Sequence, residues 1–323
     1  MNFPDSKISV ELYRTMLKIR LAEERIVQIY PSDKIQSPVH LSVGQEGVSA
    51  GVCLAMDAPD RIYGTYRSHG LYIARSGDLK KMFAELYGKD SGCARGKGGS
   101  MHLAAPEAGL MACSAVVAST IPVATGNALA SKLRGTGRVI VSFFGDGGMD
   151  EGVFFESVNF AVLKSLPIVY VIENNGYGIH SKLSDRRKQT DLFRVTEGLG
   201  LSGRRIDGDD VFAVYESMRE ALDRSRKGGG PQILEYTTHR WKEHVGIGDD
   251  FNQPYRTPNE EKIAKESDPV KRAREVLGKK FNLKDAEMIQ WEKEILAEID
   301  EAVRFAESAR FPSADRLMED LYA

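Results

Sequence analysis

Sulfur chemistry is nearly missing from this sequence. Its 323 residues include three cysteines, at 53, 93 and 113, and none forms a Cys-x-x-Cys pair. An odd, scattered set argues against a disulfide framework and fits a reducing cytoplasm. Excess charge of one sign is missing too: the formal net charge is −2. That gives no support for a polyanion-binding surface, so nucleic acid is not expected as a partner. No apolar run approaches the ~20 residues that cross a bilayer, so no membrane association is expected. The opening Met1-Asn2-Phe3-Pro4-Asp5-Ser6-Lys7 has no basic patch leading into an apolar run. It is also too acidic and too poor in arginine for a transit peptide, so no targeting segment is expected. Internal repeats, low-complexity tracts and obvious linkers are absent as well.

What is present is ordinary for a globular protein, with 42% hydrophobic and 28% charged residues. Length alone allows about two domains at roughly 150 residues each, yet α/β folds of this size often form one continuous sheet. Ile8, Leu12, Met16, Ile19, Ile26 and Ile29 recur at helical spacing, so 1–30 is expected to carry an N-terminal helix. Residues 31–48 read as irregular and 47–56 as a small apolar helix. The stretch 60–115, rich in Gly, Ser and His, reads as too polar for core, with one helix at 78–88. A helix at 122–134 follows. The clearest unit comes next. Arg138–Phe144 is an apolar strand, 151–164 a helix with Phe154, Phe155, Val158, Ala161 and Val162, and Pro167–Ile172 a second strand. Strand, helix and strand in about 35 residues form a crossover whose strands run parallel. A helix at 210–226 and a strand at 231–238 extend the pattern. Two charged helices, 258–278 and 284–309, lie in a C-terminal extension, 258–323. The expectation is one α/β domain over 1–323, a parallel sheet with helices on both faces and helical additions at both ends.

Ligands of parallel sheets collect at the carboxyl ends of the strands. Asp146 and Asn175 each follow such an end. Gly147 and Gly148 leave backbone N–H groups open where the next helix starts, a natural place for phosphate. A carboxylate there would repel a diphosphate unless a cation lay between them. Asp and Asn oxygens, a backbone carbonyl and phosphate oxygens are the hard ligands that Mg²⁺ or Ca²⁺ prefers. Other motifs fit less well. Gly145-x-Gly147 is half of a dinucleotide fingerprint, but position 150 is Asp rather than the third glycine. Asn174-Asn175-Gly176 alone is a common turn. Lys97 is followed by Gly98, which breaks the P-loop spacing. His239 and His244 lack a third zinc ligand. All six histidines fall in loop-like segments.

The string Gly145-Asp146-Gly147, 26 residues and then Asn174-Asn175 resembles the thiamine-diphosphate motif. Its continuation through Glu151-Gly152, Phe154, Glu156, Asn159 and Ala161 is similar to one branch, the alpha subunit of the 2-oxo acid dehydrogenase first component. That branch includes pyruvate, branched-chain 2-oxo acid and acetoin dehydrogenases. His40-Leu41, Gly44-Gln45-Glu46, Tyr66-Arg67, His69-Gly70, Gly96 to His102 and Ser267-Asp268-Pro269 occur in the family's order.

The resemblance implies a thiamine-diphosphate-binding fold and, with it, Mg²⁺ on the Asp146 carboxylate, the Asn175 side-chain oxygen and the Tyr177 carbonyl. It implies that Gly145, Gly147 and Gly148, with Tyr66 and Arg67, hold the diphosphate. The Ala115 and Val117 backbones would meet the aminopyrimidine, and His69 and His244 would act as catalytic histidines near cofactor and substrate. It further implies decarboxylation of a 2-oxo acid, or cleavage of acetoin, with transfer of the acyl group to a lipoyl carrier. The pyrimidine-side glutamate is expected from a separate beta-type subunit in a two-plus-two heterotetramer, with a lipoyl acyltransferase as a further partner. Two departures keep a thiamine-dependent ligase or aldehyde transferase open as the alternative. Val245 stands where some relatives carry a phosphorylated serine, and Ala118-Ser119-Thr120 replaces Gly-Ala-Gln.

Overall fold

The computed structural model describes residues 4–75 and 77–319. The first three residues of the opening segment, read as carrying no targeting signal, and the last four of the C-terminal extension lie outside them. Its strands are β1 (Arg61–Thr65), β2 (Leu110–Ser114), β3 (Ile140–Gly145), β4 (Ile168–Asn174), β5 (Tyr177–Gly178), β6 (Ser181–Lys182), β7 (Gly203–Asp207) and β8 (Gln232–Thr237). Six of them form one parallel sheet in the order β2-β1-β3-β4-β8-β7, and β5 and β6 pair as a short antiparallel ribbon.

The central strands are buried on both faces, as parallel strands covered by helices must be. Alternation then sorts their side chains. Val139, Val141, Phe143, Val169 and Val171 join one core, and Ile140, Phe144, Ile168, Tyr170 and Ile172 join the other. The first core packs under α1 (Ser6–Ile29), α2 (Glu46–Ala55), α3 (His69–Ala74) and α4 (Leu79–Leu86). The second packs under α5 (Thr120–Leu133) and α6 (Gly152–Leu163). A four-residue turn of helix, α7 (Leu183–Arg186), follows β6. Helix α8 (Val211–Arg224), α10 (Pro269–Phe281) and α11 (Asp285–Ser308) complete the first layer, with α9 (Pro258–Glu266) leading into α10. No helix among the described residues is long and apolar enough to cross a membrane.

Several sequence expectations are corrected. The stretch 60–115 contributes β1 and β2 to the sheet and buries Leu71, Tyr72, Met82, Phe83, Leu103 and Leu110. Five-residue strands are too short to show a period, and the polar residues between them are satisfied internally. Glu85 illustrates this. Its fully buried carboxylate accepts N–H bonds from Ala94 and Gly96 at Oε2 (2.8 and 2.9 Å) and from Gly98 and Gly99 at Oε1 (2.8 and 3.0 Å). The glycine-rich loop therefore wraps a side chain of the protein itself. Strand β7 was not expected either. It is an edge strand whose Arg204, Arg205 and Asp207 face solvent, so it lacks apolar alternation. The expected helix 258–278 is two helices. Asp268 caps α10 by accepting from Val270 N (3.0 Å), with Pro269 at the first helical position. His69 opens α3 rather than lying in a loop.

Candidate active site

The β3–α6–β4 crossover sets Gly145 level with Glu173, so Asp146 and Asn175 emerge side by side at the carboxyl edge of the sheet. They border a cavity of about 270 Å³. Of the residues expected there, Tyr66, Arg67, Val117, Gly145, Asp146, Gly147, Gly148, Asn175, Tyr177 and His244 line it. Residues separated by up to 178 positions in the chain are thus gathered by strand ends and returning loops.

Ala115 and His69 are not among the lining residues. Ala115 lies between two that are, Ser114 and Val116. His69 is fully buried, with Nε2 2.8 Å from Ser100 Oγ and Nδ1 3.3 Å from Glu23 Oε1. The adjacent Ser68 hydroxyl donates to the Ser100 carbonyl (2.7 Å), and Arg67 Nη1 donates to the Leu41 carbonyl. These bonds fix the turn that presents Tyr66 and Arg67, so His69 supports that turn from below. His69 thus sits directly behind the cavity lining rather than in it.

The lining is rich in cations. Arg67 is buried, and no carboxylate lies within salt-bridge distance of it among the described residues. Burial, with the charge of Arg240 nearby, lowers its pKa. Arg240 is fully buried, paired with Asp250 (3.0 Å), and its Nη1 has no partner. A buried guanidinium without an anion is costly, so Arg67 fits an anionic ligand, to which Arg240, already paired with Asp250, can add the free N–H of its Nη1. Gly147 adds open space: a Cβ built there would meet only the Gly178 Cα, at 3.8 Å.

Carboxyl groups face the same cavity. Burial raises the Asp146 pKa, and Arg186, which ion-pairs with Asp146 Oδ2, partly offsets the rise. Burial pushes Glu173 up to about 8, against the pull of Arg67. Asn175 Oδ1 accepts from Tyr177 N (3.1 Å) and its amide donates to Gln45 (2.9 Å), which orients the side chain. A carboxylate, an amide oxygen and a nearby backbone carbonyl make a hard donor set suited to Mg²⁺. Among the described residues, no group of three His, Cys, Asp or Glu side chains is arranged to hold a metal. A cation here must therefore complete its shell from amide, carbonyl or ligand oxygens. His239, weighed with His244 as a zinc pair, is bound instead to Asp209 (2.6 Å).

His244 forms a ring cluster with His40 and Tyr66, with centroids 5.1 and 5.4 Å from its own, while His40 and Tyr66 lie 4.5 Å apart. Burial, reinforced by Arg67, lowers both histidines to about 3, so both are neutral imidazoles near pH 7. Ala118, where the resemblance has glycine, takes φ of 61° at the cavity wall. Such a conformation costs a non-glycine residue roughly 1–2 kcal/mol.

Sequence reasoning missed Glu173, Arg186 and Arg240 as lining residues, and His40 beside them. Glu173 and Arg240 carried a usable signal, since each sits at or just beyond the carboxyl end of a strand. Arg186 carried none, because only the folding back of the β5–β6 ribbon and α7 brings it to Asp146.

Residues 13–315 match the family described as "Dehydrogenase E1 component". The subunit alpha of acetoin:2,6-dichlorophenolindophenol oxidoreductase from Bacillus subtilis (strain 168) is 35% identical over 312 residues, covering 96% of this chain and 92% of that protein. The protein of the same name from Cupriavidus necator is 36% identical over 320 residues, with 98% and 95% covered. The pyruvate dehydrogenase E1 component subunit alpha of Rhizobium meliloti (strain 1021) is 34% identical over 313 residues, with 97% and 89% covered. This chain belongs to the dehydrogenase E1 component family.

Proposed function

We propose that this chain is the alpha-type subunit of a thiamine-diphosphate-dependent dehydrogenase. It would decarboxylate a 2-oxo acid or cleave acetoin and pass the acyl group to a lipoyl carrier. The observation that carries this reading is the cavity beside Asp146 and Asn175, where, among the described residues, buried Arg67 has no ion-pair partner and Arg240 keeps an unpartnered Nη1, close to hard oxygen donors suited to a cation. Magnesium would be held by Asp146, Asn175 and the Tyr177 carbonyl. Arg67, Tyr66 and the Gly147 and Gly148 N–H groups would hold the diphosphate, and the Val117 backbone the aminopyrimidine side.

When bound, thiamine diphosphate supplies a nucleophilic carbon that adds to the substrate ketone and then accepts the electrons left as CO₂ or an aldehyde departs. The chain does the rest. Arg67, with the free N–H of Arg240 Nη1, would compensate phosphate charge where both side chains are shielded from bulk water. His244, a neutral imidazole at pH 7 while the cavity holds no anion, would offer a hydrogen bond to the substrate, and a bound diphosphate or carboxylate would raise its pKa toward the range where it can transfer a proton. His69 holds the Tyr66–Arg67 turn.

No cavity-lining glutamate of this chain is assigned to the pyrimidine ring, which is read as the task of a beta-type subunit in a two-plus-two assembly. Exposed Val116, Val117, Ile179 and Val245 stand at or beside the cavity, and Val123, Phe160 and Leu163 are exposed on α5 and α6. Together they offer that partner an apolar face. The free thiols of Cys53, Cys93 and Cys113 suit a cytoplasmic location.

The test is reconstitution. The chain, alone and with its co-purifying partner, is assayed with pyruvate, branched 2-oxo acids and acetoin, reading acyl transfer to lipoamide. Turnover only with the partner is expected. Equal turnover by the chain alone would overturn the split-site reading, and transfer only to acceptors other than lipoamide would favour the ligase alternative.

A further inference from the structure

Asp146 is not empty-handed in this structure. Its Oδ2 is bound by the Arg186 guanidinium, whose other terminal nitrogen binds Asp150 Oδ2. Arg187 binds Asp150 Oδ1 through Nε (2.6 Å) and the Met149 carbonyl through Nη2. Two carboxylates are thus matched by two guanidiniums across the gap between the β3–α6 turn and α7. Arg186 is mostly buried, lines the cavity and packs over Gly178 so closely that a Cβ there would lie 3.0 Å from its guanidinium carbon.

We propose that Arg186 is the resident counter-cation of the metal position. It holds Asp146 while the site is unloaded and gives it up when a divalent cation and a diphosphate arrive. This inference rests on the cofactor reading given above and concerns what that reading leaves open, the state of the site before loading.

The geometry supports an exchange of cations. A metal on Asp146 would share one negative charge with the guanidinium now on Oδ2, so the two cations repel and compete for that carboxylate. Arg186 has somewhere to go. It already shares Asp150 with Arg187, and after exchange it keeps that partner. The exchange needs only the Arg186 side chain to turn, because the short segment that carries it (β5 and β6 of two residues each, α7 of four) stays anchored by buried Leu183 and by the Arg240 bond to the Ile179 carbonyl (3.1 Å). Within this segment, Leu183 N to the Gly176 carbonyl (2.8 Å) and Arg187 N to the Leu183 carbonyl (2.9 Å) are the backbone bonds beyond the ribbon. Letting go of Asp146 therefore strains no core element. The freed guanidinium remains beside the cavity, where a diphosphate offers it a new anion.

The consequence is a measurable competition. Removing the charge of Arg186 removes the competitor and should tighten the metal. The full chain, in the assembly in which it purifies, is stripped of metal and mixed with thiamine diphosphate at one fixed concentration for all variants. Mn²⁺ binding is then read by electron paramagnetic resonance, without turnover. Arg186→Gln is expected to bind Mn²⁺ roughly tenfold more tightly than wild type, the factor that about 1.4 kcal/mol of lost competition represents. Arg187→Gln, which touches Asp150 and not Asp146, should stay within about twofold of wild type, well short of that decade. Arg186→Lys, which keeps charge without the fork, should fall between and covers the case in which the glutamine variant misfolds. Unchanged or weaker Mn²⁺ binding in both Arg186 variants overturns the exchange. If wild type itself binds no Mn²⁺ with thiamine diphosphate present, the cofactor reading fails and the exchange fails with it.

Discussion

The glycine-rich loop makes a quantitative demand on one side chain. Glu85 accepts four backbone N–H bonds from Ala94, Gly96, Gly98 and Gly99, at 2.8 to 3.0 Å, while itself fully buried. Hydrogen bonds to a charged group contribute about 1.5–3 kcal/mol each where water is excluded. The donors here are only partly buried, so water can replace part of what is lost, and about 1 kcal/mol per bond is the safer value. Glu85→Ala should therefore destabilise the protein by about 4 kcal/mol. Glu85→Gln keeps one acceptor oxygen for one pair of donors and turns an amide against the other pair, so about half that loss is expected. Urea denaturation of the assembled protein followed by circular dichroism gives the two energies. Amide hydrogen exchange over 92–101 gives the local effect, with protection falling in both variants. A glutamine variant within about 0.5 kcal/mol of wild type and with unchanged exchange would refute the view that this loop is shaped by Glu85.

The loop bearing His244 depends on a second buried anion. Asp250 is fully buried and serves Arg240, Arg256 and the Tyr255 hydroxyl, which outweigh burial and hold its pKa below the usual range. Asp250→Asn strands the buried Arg240 guanidinium, while Arg256 keeps Glu260 at 3.5 Å, and should cost about 3 kcal/mol in denaturant titration, because a broken buried pair leaves an uncompensated charge. A loss below about 1 kcal/mol would contradict that assignment. The cofactor-free protein should also lose stability on acidification. His40 faces Arg67, His244, His69 and Arg240, and His244 faces Arg67, Arg240, His180 and Asp250; burial first, then the arginines and neighbouring histidines, lowers both to about 3, with Asp250 pulling the other way on His244. An unfolded histidine takes a proton near 6.5. The unfolded state thus binds more protons between about pH 6.5 and 3, and stability falls as pH falls through that window. Alanine at both positions should flatten the slope, and an unchanged slope would show that other groups set it.

How much of this was legible beforehand depended on where residues sit relative to strand ends. The crossover from Ile140 to Asn174 could be read because seven buried residues in β4 and the apolar stripe of α6 leave no competing pattern. Asp146 and Asn175 followed from it, since the carboxyl end of a parallel strand is a fixed address. Strands β1 and β7 were hidden for opposite reasons, one being short and interrupted by Gly64, the other a charged edge. The polar look of 60–115 misled because composition does not reveal internal pairing. Glu85 meets partners 9 to 14 residues away, and His69 meets Ser100 and Glu23. Arg186 and Arg240 reach the cavity on returning loops, whose paths are set by packing rather than by local spacing.

The central claim is that Asp146 ties a diphosphate cofactor to this chain through a metal. Calorimetric titration of thiamine diphosphate into the purified, metal-stripped assembly, with and without Mg²⁺, tests it directly. Wild type should bind only with Mg²⁺, and Asp146→Asn should lose that binding while keeping its fold. Equal binding by Asp146→Asn, or binding indifferent to Mg²⁺, would contradict the account.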